Sequence, residues 1–338
     1  MKGAVVGVGR MGCRHVQVIR DLGLELVGIC DSRADALAAA AKEAGIPPAL
    51  QFSDPGTMLK ASQPDCVVVA TTAPAHCELV CLAAEHGVKC VLCEKPMAVS
   101  LAECDRMIKC CQERGTRLAI NHQMRFMEQY TEPKRIAESE AFGGLSSVTV
   151  VAGNFGIAMN GTHYFEMFRF MTGEAPLGVT AWFSPERFSN PRGPQFEDRA
   201  GAVRLRTASG KRFYMEVGAD QGHGVKVVYA GRFGQIAVDE VGGTMTVSIR
   251  QEGFLDLPTT RYGMPAVETM HQIAPADAIT PSRSVLDALL RGTDAPTGEA
   301  GRLAVAVLVA AYVSNETGHV EVRVDDSSLP LERTFPWA

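Results

Sequence analysis

Short apolar runs alternate with amphipathic stretches through the first 120 residues of the chain. Gly3–Gly9 reads as a buried strand, and the stretch from there through Val16 and Ile19 to about Leu22 as a helix. A second strand, Leu24–Cys30, ends at Asp31 and leads into a helix over Arg33–Ala44 and a loop rich in proline and glycine. Strand Cys66–Ala70, helix His76–His86, strand Lys89–Cys93, helix Leu101–Arg114 and strand Arg117–Asn121 follow. Strands separated by helices of this length imply an α/β, doubly wound parallel sheet with right-handed crossovers. The pattern puts this first domain at residues 1–120.

From residue 121 the pattern changes. A helix near Glu132–Ser139 precedes β-branched segments at Leu145–Gly153, Leu177–Phe183, Arg199–Thr207, Lys211–Ala219, Val225–Ala230, Gln235–Val241 and Thr244–Arg250. In Val203-Arg204-Leu205-Arg206 polar and apolar positions alternate, so one face is buried and the other is wet or at an interface. The expectation is an α+β domain, residues 121–338, with an open, mostly antiparallel sheet. Asn154–Gly173 carries a helical stretch in which Tyr164, Met167, Phe168 and Met171 make an apolar face, while His163 and Glu166 project together from another side. Gly253–Ile279 has low periodicity and holds Arg261, Tyr262, Glu268 and His271, which suits a lid, a substrate loop or an oligomer arm. Gly301–Thr317 reads as a buried helix closed at Gly318, followed by strand Val320–Val324.

A length of 338 residues suits about two domains, and a formal charge of -5 gives no basic footprint for nucleic acid. The longest apolar run, Leu303–Val313, is too short to cross a bilayer, and Met1-Lys2-Gly3 lacks a signal-peptide pattern, so a cytoplasmic location without membrane contact is expected. All 10 cysteines lie in the first third of the chain, where they suit apolar fillers in a reducing compartment. Cys90 and Cys93 have the spacing of a zinc or redox pair but no second pair at ligand spacing, so no metal is expected.

Gly7-Val8-Gly9-Arg10-Met11-Gly12 falls between a strand and a helix, and an acid, Asp31, ends the next strand. In that context Gly7 serves the tight turn, Gly9 the approach of backbone to a pyrophosphate, and Gly12 the packing of helix on strand. Asp31 should accept the adenosine ribose hydroxyls and repel a 2′-phosphate, favouring NAD, while Arg33 leaves NADP open. These features predict a Rossmann dinucleotide site in which Arg10 and Met11 line the loop. Thr71, Pro74 and His76 follow a strand at the same carboxyl edge and read equally as cofactor contacts or as a plain loop with Pro74 opening a helix. The run Val91–Ala98 ends in Glu94-Lys95-Pro96. In isolation Glu94 and Lys95 suit a solvated pair; at a parallel strand's end Lys95 can reach a bound small molecule.

Taken together, Gly7-x-Gly9-Arg10-Met11-Gly12-x-x-His15, Asp31, Ala70-Thr71 with Pro74 and His76, and Cys93-Glu94-Lys95-Pro96 resemble the glucose-fructose oxidoreductase, inositol dehydrogenase and MocA family. The resemblance implies a nicotinamide cofactor and hydride transfer to or from a sugar, sugar acid, nucleotide sugar or cyclitol. It implies that Lys95 lies between nicotinamide and substrate, holds the reacting hydroxyl and helps move its proton, with Glu94 positioning Lys95 or the nicotinamide ribose. His163 and Glu166 match the last two polar positions of the family's Asp-x-x-x-His-x-x-Asp pattern, so His163 becomes a proton acceptor or substrate ligand. Met159 stands where the family has its first aspartate, so a complete relay of aspartate, lysine and histidine is not implied. Either Asn160 or Glu166 then substitutes in positioning the substrate, or Lys95 and His163 carry the proton alone; Asn121, Gln123 and Arg125 are further substrate candidates, Arg125 serving equally as a pairing at the domain junction. The resemblance also implies a homodimer or homotetramer. Two rival readings stay open: a catalytically silent dinucleotide sensor on the same fold, and a reductase of a non-sugar carbonyl or imine.

Overall fold

The computed structural model describes residues 1–153, 156–187, 190–258, 263–274 and 277–338. Strand β1 (Lys2–Val6) leads through a glycine loop into α1 (Arg10–Asp21), followed by β2 (Glu25–Cys30), α2 (Ala34–Ala44), β3 (Gln51–Phe52), α3 (Pro55–Ser62), β4 (Cys66–Val69), α4 (His76–Glu85), β5 (Cys90–Cys93), α5 (Leu101–Arg114) and β6 (Arg117–Ile120). The six strands form a parallel sheet in the order β3-β2-β1-β4-β5-β6. Both β4 and β5 are buried along their whole length, which is why they read as unbroken apolar runs. The order reverses between β1 and β4, and in such sheets the crevice at the carboxyl ends of the strands is where ligands bind.

One stretch differs from expectation here. The proline- and glycine-rich segment that reads as a loop folds as β3 and α3. The Asp54 carboxylate accepts the Thr57 amide at 2.7 Å, and Pro55 sits in the first turn, where its missing N–H is not needed.

The second half begins with α6 (Glu128–Ala137), four residues earlier than its sequence pattern suggests. Then come β7 (Leu145–Gly153), α7 (Thr162–Thr172), β8 (Gly178–Arg187), β9 (Arg199–Arg206), β10 (Arg212–Gly218), β11 (Lys226–Gly231), β12 (Gly234–Asp239), β13 (Thr244–Arg250), β14 (Ala266–Gln272), α8 (Ile279–Arg291), α9 (Gly298–Glu316) and β15 (Val322–Arg323). Among the described residues these strands form one sheet in the order β14-β13-β12-β11-β7-β10-β9-β8-β15. Only β7 and β10 pair in parallel, so the expected α+β domain with a mostly antiparallel sheet is borne out.

Helix α9 is apolar almost all round because it is a shared layer: it packs on β8 and α7 on one side and on α5 and β6 on the other. The opposite face of the second sheet points outward, with Trp182 48% exposed and the Arg204 guanidinium over the Tyr214 ring.

The segment Gly253–Ile279, which reads as lacking regular structure, contains β14, an edge strand exposed at every residue. Its pattern is hidden because burial does not alternate along it. Glu268 and His271 stand exposed on that strand, and Arg261 and Tyr262 lie outside the described residues. Helix α8, absent from the expectations, starts where the Asp277 carboxylate accepts the amides of Ile279 and Thr280. It packs on α1 and so returns the chain to the first sheet. The 10 cysteines are free thiols, all buried except Cys13 and Cys110, which are half-buried. Among the described residues no helix is long and apolar enough to cross a membrane.

Candidate functional site

The glycine loop is shaped as its spacing predicts. Gly7 has φ +86°, and a Cβ there would come within 2.7 Å of the Ala70–Thr71 backbone. A Cβ on Gly12 would lie 1.9 Å from the Gly7 carbonyl oxygen, so α1 packs this closely on β1 only with glycine at that position. At Gly9, by contrast, a Cβ would meet nothing within 4 Å, and that open space in front of the N-terminus of α1 is where a pyrophosphate would fit. Asp31 sits half-buried past the end of β2, with one carboxylate oxygen accepting the Val8 amide and the other the Arg33 amide, both at 2.9 Å. Each oxygen keeps a lone pair for a ribose hydroxyl. Arg10 and Arg33 are exposed and Met11 half-exposed at the rim, so the residues present fit a dinucleotide.

Strand β5 delivers Glu94 and Lys95 to the same edge. Glu94 is 3% exposed; one carboxylate oxygen takes the His15 Nε2 and the Asn121 side-chain amide, both at 2.8 Å, and the other accepts the Lys95 amide at 3.3 Å. Burial alone would raise this carboxyl, but the His15 ring, the Lys95 ammonium and the Asn121 amide together hold it well below the usual carboxylate range. Asn121 also donates to the Ser282 hydroxyl at 3.1 Å, so α8 is tied into the network. The Lys95–Pro96 peptide is cis, and Lys95, nearly buried, donates from Nζ to the Met159 carbonyl at 2.6 Å. Burial, against the attraction of Glu94, pushes the Lys95 ammonium down to about 8.

The Met159 carbonyl is available because Ile157–Gly161 is a π-helical turn that opens into α7. Asp198, 1% exposed, holds this turn: its carboxylate accepts the amides of Ala158 at 2.7 Å, Met159 at 3.0 Å and Arg199 at 3.1 Å. Burial outweighs those hydrogen bonds and raises the Asp198 carboxyl to about 6. His163, at the start of α7, lies edge-on to His122 with ring centroids 5.5 Å apart. The Nδ1 atoms of both rings are enclosed with no partner among the described residues. Burial, helped by the Lys95 charge, holds His163 well below its ordinary value, and burial lowers His122 to about 4. Both imidazoles are therefore neutral near pH 7 and able to accept a proton or a hydrogen bond.

Other anticipated residues have different surroundings. His76 is fully buried, its Nδ1 lying 3.0 Å from the Pro96 carbonyl and its Nε2 3.2 Å from the Thr71 carbonyl, so the ring sits between the two loops and braces them against each other. Thr71 is half-buried and Pro74 exposed. Arg125 pairs with Glu166 at 2.7 Å and with Asp294 at 2.9 Å and lies over the Phe170 ring. Glu166 is 3% exposed and also takes Arg169 through both of its oxygens, so it does not share His163's surroundings. Gln123 Oε1 is enclosed without a partner among the described residues, and Asn160 is half-buried beside Met159.

Sequence reasoning missed His122, Asp198, Arg192 and Ser282. Asp198 acts through backbone amides 40 positions earlier, a relation without a spacing signature. Near the chain end, Trp337 donates to the Ala98 carbonyl at 2.9 Å and the Pro336 carbonyl accepts the Glu197 amide, which braces the loops bearing Lys95 and Asp198.

A parallel sheet with this glycine loop, joined to an open sheet whose helices close over the carboxyl edge, defines a two-lobed dinucleotide-binding protein. Residues 1–122 match the model of an oxidoreductase family with an NAD-binding Rossmann fold, in keeping with the resemblance that the sequence carries and with the expectation of NAD. The chain is 33% identical over 190 residues to D-apiose dehydrogenase of Paraburkholderia graminis, a match covering 51% of this chain and only 50% of that enzyme. It is 27% identical over 334 residues to inositol 2-dehydrogenase 2 of Saccharopolyspora erythraea, covering 94% and 95% of the two chains. An oxidoreductase from Agrobacterium radiobacter, solved with NAD+, L-tartaric acid and magnesium, has the same fold, with a TM-score of 0.79 at 21% identity over 96% of this chain and 98% of that one.

Proposed function

We propose that the chain is an NAD-dependent oxidoreductase that exchanges hydride between nicotinamide and a carbinol or carbonyl carbon of a sugar, sugar acid, nucleotide sugar or cyclitol. The observation that carries this reading is Lys95: a nearly buried amine at the carboxyl end of β5, brought down to about 8 and aimed at the opposite lobe. A base works best when its pKa lies near the working pH, and an ordinary surface lysine does not meet that condition. The bound dinucleotide supplies the hydride acceptor or donor.

In this reading Lys95 holds the reacting hydroxyl and takes its proton as the carbon is oxidised, returning it in the reverse direction. His163 faces the same space as a neutral acceptor, and Gln123 and Asn160 supply polar contacts to the remaining hydroxyls. Asn121, Glu94 and His15 set the geometry of Lys95 from below. Arg125 and Glu166 brace α7 against the junction between lobes 1–120 and 121–338. Asp31 selects NAD over NADP, with Thr71, Pro74 and His76 shaping the wall beside the cofactor. The outward face of the second sheet suits a homodimer or homotetramer, and the buried free thiols suit the cytoplasm.

The test is nicotinamide reduction or oxidation by the purified protein on a panel of sugars, sugar acids, nucleotide sugars and cyclitols, with NAD and NADP in parallel. Turnover of one class with NAD preferred supports the reading. Tight NAD binding with no turnover across the panel favours the silent sensor, the reading that Met159 supports because its side chain cannot relay a proton.

A further inference from the structure

Arg192 is a charged group at the same site that the hydride chemistry does not use. It lies in the turn between β8 and β9, where Asn190, itself 8% exposed, accepts the Arg192 amide on its side-chain oxygen at 3.0 Å, and the Gly193 amide donates to the Asn190 carbonyl at 3.1 Å. Further along, the Glu197 amide is fixed to the Pro336 carbonyl at 2.6 Å. Residues 190–197 are thus braced at both ends.

The Nη1 atom is enclosed and has no hydrogen-bond partner among the described residues. The charge of Arg192 acts on Lys95, and the charges of Arg10, Glu94 and Asp198 act on Arg192, so this enclosed end lies within electrostatic reach of the glycine loop and of Lys95. Neither carboxylate there forms an ion pair with it. Glu94 is taken by His15 and Asn121, and Asp198 by three amides. Three cations, Arg10, Lys95 and Arg192, are therefore within electrostatic reach of one another, and the two acids near them are already engaged. Arg192 is half-buried, and the enclosed end of its guanidinium has no anion beside it, whereas a planar fork of donors suits carboxylate and phosphate oxygens.

We propose that Arg192 recognises an oxyanion of the substrate, so that the substrate is a polyhydroxylated compound bearing a carboxylate or a phosphoryl group. The inference rests on the oxidoreductase reading and narrows it: neutral sugars and cyclitols are poor substrates, and sugar acids or sugar phosphates good ones.

The experiment is calorimetric binding to the full chain saturated with NADH, using D-gluconate, glucose 1-phosphate and inorganic phosphate as oxyanion probes and D-glucose and myo-inositol as neutral ones. The wild-type protein should bind at least one oxyanion probe more tightly than both neutral probes. Arg192→Met should weaken that binding about 10-fold or more, and Arg192→Lys should restore part of it, as expected for one charge-assisted hydrogen-bonded pair. Gluconate against glucose 1-phosphate separates carboxylate from phosphoryl recognition. NADH affinity, measured first, should change less than about 3-fold in either variant. Loss of NADH affinity in Arg192→Met would assign the arginine to the cofactor's own phosphates and overturn the proposal, as would no oxyanion binding to the wild-type protein or equal binding to the variant. Binding does not require turnover, so oxyanion recognition lost in Arg192→Met alongside an inactive wild type would count against the oxidoreductase reading alone.

Discussion

Replacement of Asp198 by alanine should unfasten the turn that meets Lys95. Three amides, those of Ala158, Met159 and Arg199, donate to this carboxylate at 2.7–3.1 Å in a place where the residue is 1% exposed. A hydrogen bond to a charged acceptor contributes about 1.5–3 kcal/mol net, and a buried donor left unpaired costs a similar amount. Water entering the vacated volume recovers part of this, so Asp198→Ala is expected to lose roughly 3–5 kcal/mol. Asp198→Asn keeps one acceptor oxygen but turns an NH2 group towards an amide, and should lose about half as much. Urea unfolding measures both, with the midpoint moving and the slope unchanged. The loss should also reach Lys95, because the Met159 carbonyl shifts and a carboxylate that favours the ammonium disappears. Competitive acetylation of Lys95 across pH, read by peptide mass, should then place its midpoint below about 8. Stability within ~0.5 kcal/mol of wild type, with an unmoved Lys95 midpoint, would refute the reasoning.

Two further outcomes follow from buried charges behind the site. Glu240 accepts hydrogen bonds from Tyr130 at 2.5 Å and Tyr164 at 2.9 Å, and burial raises its carboxyl to about 7 despite them. The folded state therefore holds this proton more tightly than the unfolded chain, whose glutamates titrate near about 4.3. Its contribution is complete below that value and is lost as pH rises through about 7, so wild-type stability should fall by about 3 kcal/mol over that window, and a thermal-melt series should show Glu240→Gln without this slope. Arg125→Met leaves the buried Glu166 with only Arg169 and should cost about 3–5 kcal/mol in chemical denaturation; a loss below ~1 kcal/mol would show that the triad does not brace α7.

The first sheet and its cofactor loop were open to reading because each signal is local. Unbroken apolar runs mark β4 and β5, and the glycine spacing fits one backbone shape at Gly7 and Gly12. Lys95 was legible for the same reason, as the polar end of a buried strand. The misses share a different cause. Helices α3 and α8 begin at Asp54 and Asp277 caps inside stretches whose composition suggests loops, and β14 has no buried face to impose a period of two. Glu166 shares a helix with His163, yet its neighbours are Arg125 and Arg169, a pairing fixed by the packing of the 123–126 turn on α7. Asp198 and Arg192 lie in a proline- and glycine-rich stretch and matter only through what the fold brings within reach.

The most direct test of the central claim is turnover by Lys95→Met beside wild type on whichever substrate of the panel is oxidised, with NAD binding measured on the same preparations. The variant should bind NAD as wild type does but lose turnover by about 100-fold or more. Wild-type oxidation should rise with pH through about 8, because Lys95 must shed its proton before it can accept one. Turnover by Lys95→Met at the wild-type rate, with the same pH profile, would rule out Lys95 as the proton acceptor.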